Sequence, residues 1–175
     1  MIGVTRYARY VLAAGVASCL MGGLARADKP ADPAAVSSED GKYADVDGRP
    51  TFNVGKDGKV DFYTYIGYVR YTANCMHCHG PDGLGSTYAP SLVNSFKVLD
   101  YADVLTIVAN GKKDVSASSE LVMPTFGENK NIMCYIDAIY IYLRARSVDA
   151  IPRGRPQDHE PKPKGFSETE NSCMG

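Results

Sequence analysis

The feature that most constrains this chain is the run Cys75-Met76-His77-Cys78-His79. Two cysteines separated by two residues and followed at once by a histidine have the spacing of a covalent c-type haem attachment. Cys75 and Cys78 would add across the two vinyl groups as thioethers, and His79, fixed beside them, would turn an imidazole nitrogen toward the iron. A structural zinc site needs four ligands, usually from paired knuckles, and the chain has no second Cys-x-x-Cys. A thioredoxin-like redox pair would sit near a βαβ pattern, and none surrounds residue 75.

The 175 residues, 45% apolar and 22% charged, suit one small domain with extensions. Residues 1–27 have the layout of a secretory signal: Arg6 and Arg9, an apolar run over 10–24, then Ala25-Arg26-Ala27 as a cleavage signal, so that the mature chain starts at Asp28. Val16-Ala17-Ser18-Cys19 also resembles a lipoprotein box, in which Cys19 would carry a membrane anchor. The apolar continuation over 20–24 favours the signal reading, and no stretch reads as a transmembrane span. Export places the protein in the periplasm, where covalent haem attachment and structural disulfides both occur. With Cys19 removed and Cys75 and Cys78 on haem, Cys134 and Cys173 remain and read as a disulfide, two unpaired thiols being the alternative. The signal takes three basic residues and no acidic ones, leaving 16 basic against 20 acidic, a formal balance of −4. Nucleic acid is therefore excluded as a partner.

Residues 28–41 are rich in Pro, Ala, Ser and acidic residues, and a flexible leader is expected over 28–49. Asp45-Val46-Asp47-Gly48 hints at a calcium loop, but Arg49 and Lys56 fall where carboxylates are needed, so a turn is the better reading. A small β-hairpin over 50–60 would turn at Asp57-Gly58. From residue 61 the period becomes helical, with Phe62, Ile66 and Val69 leading into Cys75. Gly80-Pro81-Asp82-Gly83 stops that helix. A second helix over 100–110 ends at Asn110-Gly111, and a loop carries Met123-Pro124-Thr125-Phe126-Gly127. A closing helix over 129–146 has Ile132, Ile136, Ile139, Tyr140 and Leu143 on its core side. The proline-punctuated tail over 147–175 would wander unless Cys173 tied it back.

Helix, Cys-x-x-Cys-His, Gly-Pro-Asp-Gly, Ala89-Pro90-Ser91-Leu92, a Tyr-to-Asn-Gly helix, Met-Pro-x-Phe and a closing helix together resemble a class I monohaem cytochrome c over residues 61–146. The resemblance implies an all-α fold, three main helices around one covalent haem, with the small N-terminal hairpin added. It implies that Met123 is the distal iron ligand and that the carbonyl of Pro90 accepts a hydrogen bond from the other nitrogen of His79, fixing the imidazole. A narrower resemblance adds Asp40-Gly41-Lys42-Tyr43, the stretch over 57–65 and the cysteines at 134 and 173. These are similar to the four-cysteine cytochromes of methanol metabolism, which accept electrons from pyrroloquinoline-quinone (PQQ) alcohol dehydrogenases acting on methanol or ethanol. A monomer passing electrons on to a downstream cytochrome c or oxidase is then expected.

Other side chains compete for these roles. A methionine is usually core filling, so Met123 rests on Pro124, its loop and the resemblance; Met76 and Met133 have no path to the distal face. His77 faces away by its covalent setting, and His159 lies in the tail. Tyr63, Tyr65, Tyr68 and Tyr71 read as core and rim, with a bond to a haem propionate open to one or two of them. An iron with both axial places taken by protein moves single electrons and does no bond chemistry, so an electron carrier is expected and not an enzyme. Partners would meet at the haem edge near Cys75 and Cys78 through a small transient interface. Two alternatives stand beside this: a general carrier for a terminal oxidase or another dehydrogenase, and, if Met123 is not bound, an open-site haem enzyme or sensor.

Overall fold

The computed structural model describes residues 35–115 and 120–175; the expected signal, Cys19 and leader residues 28–34 lie outside the described residues. Three short antiparallel strands come first, β1 (Ser37–Glu39), β2 (Lys42–Ala44) and β3 (Pro50–Thr51), in the order β1-β2-β3. Asp40 and Gly41, with φ of 45° and 72°, make the β1–β2 turn, the conformation that matches strand twist. The chain over 37–49 is thus built into a sheet where a flexible leader was expected, and the cause is long-range. Asp45, 2% exposed, accepts from Nη2 of Arg144 at 3.0 Å, from Nε of Arg49 at 3.0 Å and from the amides of Asp47 and Arg49. Arg144 also donates to the carbonyl of Pro50 at 2.9 Å. A buried guanidinium–carboxylate pair of this kind, its partners satisfied, holds sequence-distant segments in register. The hairpin expected over 50–60 shrinks to one antiparallel bridge, Val54 to Val60, around the turn at Gly58, because β3 pairs with β2 instead.

Asp61 then caps α1 (Phe62–Asn74), accepting from the amide of Thr64 at 2.7 Å and its hydroxyl at 2.6 Å. The most buried residues of α1 are Phe62, Thr64, Gly67 and Tyr71, whereas Ile66 and Val69, expected on the core face with Phe62, are only half-buried. The face is rotated because Gly67 lets another helix come close, as described below. After α1 come α2 (Met76–His79), a 3-10 turn (Pro81–Gly83), α3 (Leu92–Ser95) and α4 (Tyr101–Asn110), the last opened by a capping box of Asp100 and Asp103. A hairpin of β4 (Lys112–Val115) and β5 (Glu120–Met123) follows, where a plain loop was expected. The closing helix is split into α5 (Lys130–Met133) and α6 (Ile136–Ser147) at Tyr135, whose ring lies under the Arg70 guanidinium at 3.4 Å.

Helix α6 is the centre of the core: Ile136, Ile139, Tyr140, Ile141, Tyr142, Leu143 and Ala145 are all buried. It crosses α1 at Gly67, where an added Cβ would stand 1.9 Å from the carbonyl oxygen of Ala138. The approach lets Tyr71 and Tyr142, both 0% exposed, meet with ring centroids 5.4 Å apart. The tail ends in α7 (Phe166–Met174), which seats Phe166 against Phe62 at 4.9 Å and Tyr63 at 5.5 Å. Cys173 on α7 is bonded to Cys134, with Cα atoms 5.7 Å apart. No helix among the described residues is long and apolar enough to cross a membrane.

Candidate functional site

One helical turn gathers the chemistry. The amide of Cys75 closes α1 onto the carbonyl of Tyr71 at 2.8 Å, and the amides of Cys78 and His79 fold back on the carbonyl of Cys75 at 3.2 and 2.9 Å. The two thiols therefore lie beside His79, and they are free of each other. Cys78 is exposed and Cys75 half-buried; burial, and then the neighbouring Cys78, push the Cys75 thiol up to about 11.

His79 is 8% exposed, and its Nδ1–H donates to the carbonyl of Pro90 at 3.0 Å. That bond leaves Nε2 as the ring nitrogen free to accept a metal and fixes the ring plane. The turn carrying it is folded on itself: the amide of Gly85 donates to the carbonyl of His79 at 2.8 Å, and the fully buried Tyr71 hydroxyl donates to the carbonyl of Gly80. Gly80 has φ 72°, and a Cβ there would be 2.2 Å from the oxygen of Gly85. Tyr71 thus acts on the histidine turn from the adjacent helix. The sequence places Tyr71 in the core or rim, with a propionate bond open, and does not show this role because its hydroxyl partner is a backbone atom that no motif names.

Met123 ends β5, paired with Lys112 and half-buried. Behind it the amides of Phe126 and Gly127 bond to the carbonyls of Val108 and Ala109 at 3.0 Å, so the segment after Met123 covers the open end of α4. The structure brings Cys75, Cys78, His79 and Pro90 together and carries Met123 on this separate arm. Cys134 and Cys173 belong to the α5–α7 junction. His77 is exposed, and His159 is stacked on Tyr65 with ring centroids 3.8 Å apart. No three His, Cys, Asp or Glu side chains converge as a bare metal site would need, among the described residues. Two unpaired thiols beside one oriented imidazole are the donor set of haem c, and the residues fit that group.

Residues 66–143 match the family described as cytochrome c oxidase, cbb3-type, subunit III. Cytochrome c-555 of Methylococcus capsulatus is 35% identical over 96 residues, which is 54% of this chain and 72% of that protein. The chain is a c-type cytochrome. Cytochrome c-553I of Paracoccus denitrificans is 49% identical to it over 136 residues, 78% of this chain; the chain spans 60% of that relative's length. The crystal structure of the c-type cytochrome XoxG from Methylobacterium extorquens AM1 matches the fold with a TM-score of 0.74 at 51% identity, covering 79% of this chain and 85% of that one. The family match of this cytochrome begins inside α1 and ends inside α6. The N-terminal sheet and the tail lie outside it.

Proposed function

We propose that this cytochrome is a periplasmic one-electron carrier with a single haem c, α1, α4 and α6 being the three main helices around it. It accepts electrons from a PQQ-dependent methanol or ethanol dehydrogenase and delivers them to the respiratory chain through a downstream cytochrome c or oxidase. The observation that carries the reading is the single turn holding Cys75, Cys78 and His79, with Nδ1 of His79 committed to Pro90. When bound, haem c supplies a one-electron couple at iron whose potential the protein sets.

The chain's own residues do the rest. Cys75 and Cys78 hold the group through thioethers, which keeps it in place in either oxidation state. His79 offers Nε2, its basicity raised by the bond to Pro90. Met123 offers a soft thioether from the β4–β5 arm, favouring the reduced state more than a second histidine would. With haem c bound, His79 and Met123 would be the residues that hold the iron, and their occupancy would keep oxygen and peroxide from it. Exposed Cys78 marks the edge where electrons pass, and the loop beside it, bonded from the Ser86 hydroxyl to the carbonyl of Cys78, exposes Leu84 and Tyr88 as a small apolar contact.

The donor assignment rests on the likeness of 40–43, 57–65, 75–83 and the second cysteine pair to the four-cysteine cytochromes of methanol metabolism. The likeness to XoxG and to cytochrome c-553I supports it. The match of 66–143 to an oxidase subunit family favours a second reading, a carrier serving a terminal oxidase. Stopped-flow mixing of the ferric cytochrome with reduced PQQ methanol and ethanol dehydrogenases separates the two. Fast reduction by one of them is expected, and no reduction by either would sink the alcohol-oxidation reading.

A further inference from the structure

Asp82 is a buried carboxylate that the proposed electron-transfer role does not use. It lies three residues beyond His79, inside the Pro81–Gly83 turn, is 8% exposed and takes φ 59°, a left-handed conformation that side chains rarely adopt. Both of its oxygens are held by one short piece of the tail. Oδ2 accepts from Nε of Arg153 at 3.0 Å, and Oδ1 accepts from the amide of Gly154 at 2.8 Å. Gly154 has φ 89° with open space around it, so glycine is there for the backbone conformation that aims its amide.

The gripping segment is itself fixed at both ends. On one side Ile151 is 2% exposed, its carbonyl bonded by Nη1 of Arg146, and the amide of Ala150 donates to the carbonyl of Ala145 at 3.0 Å. On the other, His159 forms a parallel bridge with Val60 at the start of α1, where the amide of Glu160 donates to the carbonyl of Val60 at 2.8 Å. Between these anchors the strap passes over the turn that follows His79. That turn is also held by its own backbone, by Tyr71 and by the Ser91 hydroxyl, which donates to the carbonyl of Gly83 at 3.2 Å, and Asp82 is where the tail takes hold of it.

We infer that Asp82 is a positioning residue: through it the tail strap locks the turn carrying His79, and Arg153 offsets the negative charge the turn buries beside the haem ligand. The inference rests on His79 ligating the haem iron. A carboxylate near iron stabilises the ferric form, and its paired cation cancels part of that effect. The two partners therefore act on the reduction potential in opposite directions, whereas a clamp with only a mechanical role would shift both variants one way or neither. Arg153 has a 66% exposed side chain, so replacing it leaves the core intact.

The test is equilibrium redox titration of purified holo-cytochrome, followed by its absorption bands, for wild type, Arg153→Gln, Arg153→Lys, Asp82→Asn and the control Arg155→Gln. Arg155 lies on the same strap but donates to the Tyr65 hydroxyl, so it reports the effect of losing a positive charge there. Arg153→Gln should lower the potential beyond the control, Asp82→Asn should raise it, and Arg153→Lys should restore most of the wild-type value. Shifts of one sign in Asp82→Asn and Arg153→Gln, or shifts no larger than the control, overturn the inference. A wild-type protein without c-type bands would overturn the haem reading with it; normal bands with unmoved variants overturn this inference alone.

Discussion

At Gly67 the absence of a side chain decides how the two central helices meet. A methyl group there would sit 1.9 Å from the carbonyl oxygen of Ala138 and 2.8 Å from Cβ of Tyr142, and neither helix can give way without disturbing the Tyr71–Tyr142 contact. Gly67→Ala should therefore lower holo-protein stability by about 2 kcal/mol, the scale of overpacking in a filled core, measured by denaturant unfolding. Gly111 has a different task. Its φ is 72°, and a Cβ would lie 2.6 Å from the backbone oxygen of Met123, so Gly111→Ala should push the β5 end outward. The weak long-wavelength band of Met-ligated ferric haem should fade in that variant while the bands set by His79 persist. The Cys-x-x-Cys-His run is legible in the sequence because covalent chemistry dictates its spacing. The roles of Tyr71 and Asp82 are not, since the first donates to a backbone carbonyl and the second is held from 71 and 72 positions away.

Among the elements, helix periodicity located α1, α4 and the α5–α6 stretch, whose expected core residues Ile132, Ile136, Ile139, Tyr140 and Leu143 are all buried. It missed the sheet over 37–51 and helix α7, because both are held by distant partners more than by local preference. The Arg144–Asp45 pair spans 99 positions, and Phe166 needs Phe62 to be worth burying. Helix α7 is also held by the Cys134–Cys173 bond, at a separation of 39 residues. Cys173→Ser should cost about 4 kcal/mol on the chain-entropy account, and mild reductant should reproduce the loss in wild type without releasing haem, since thioethers are not reduced. Glu170 adds a pH-dependent part. The Tyr135 hydroxyl, with Lys162 at 3.4 Å and Arg70 at 3.6 Å, holds its carboxyl below the ordinary carboxylate range. A depressed value means that its stabilisation is present above the unfolded value of 4.5 and is lost as pH falls through the folded one. The difference in melting temperature between wild type and Glu170→Gln should accordingly be present at neutral pH and vanish at low pH.

As a whole molecule, this c-type cytochrome wraps its central helix pair with two extensions that the family match leaves out. The N-terminal sheet is pinned to α6 through Asp45, Arg144 and Lys42–Asp137, and the tail runs from the end of α6 past Asp82, Val60 and Tyr65 to α7. Both extensions bear on the scaffold that sets the angle of α1 to α6, and α1 delivers Cys75. The central claim is that the protein supplies both axial ligands, His79 and Met123, and so carries electrons without opening the metal to small molecules. The most direct test records absorption spectra of ferrous wild type and Met123→Ala before and after carbon monoxide. The account predicts an unchanged wild-type spectrum and a carbon monoxide adduct in the variant, with the long-wavelength ferric band present only in wild type. A wild-type spectrum that shifts fully on adding carbon monoxide would contradict it and leave an open-site haem protein.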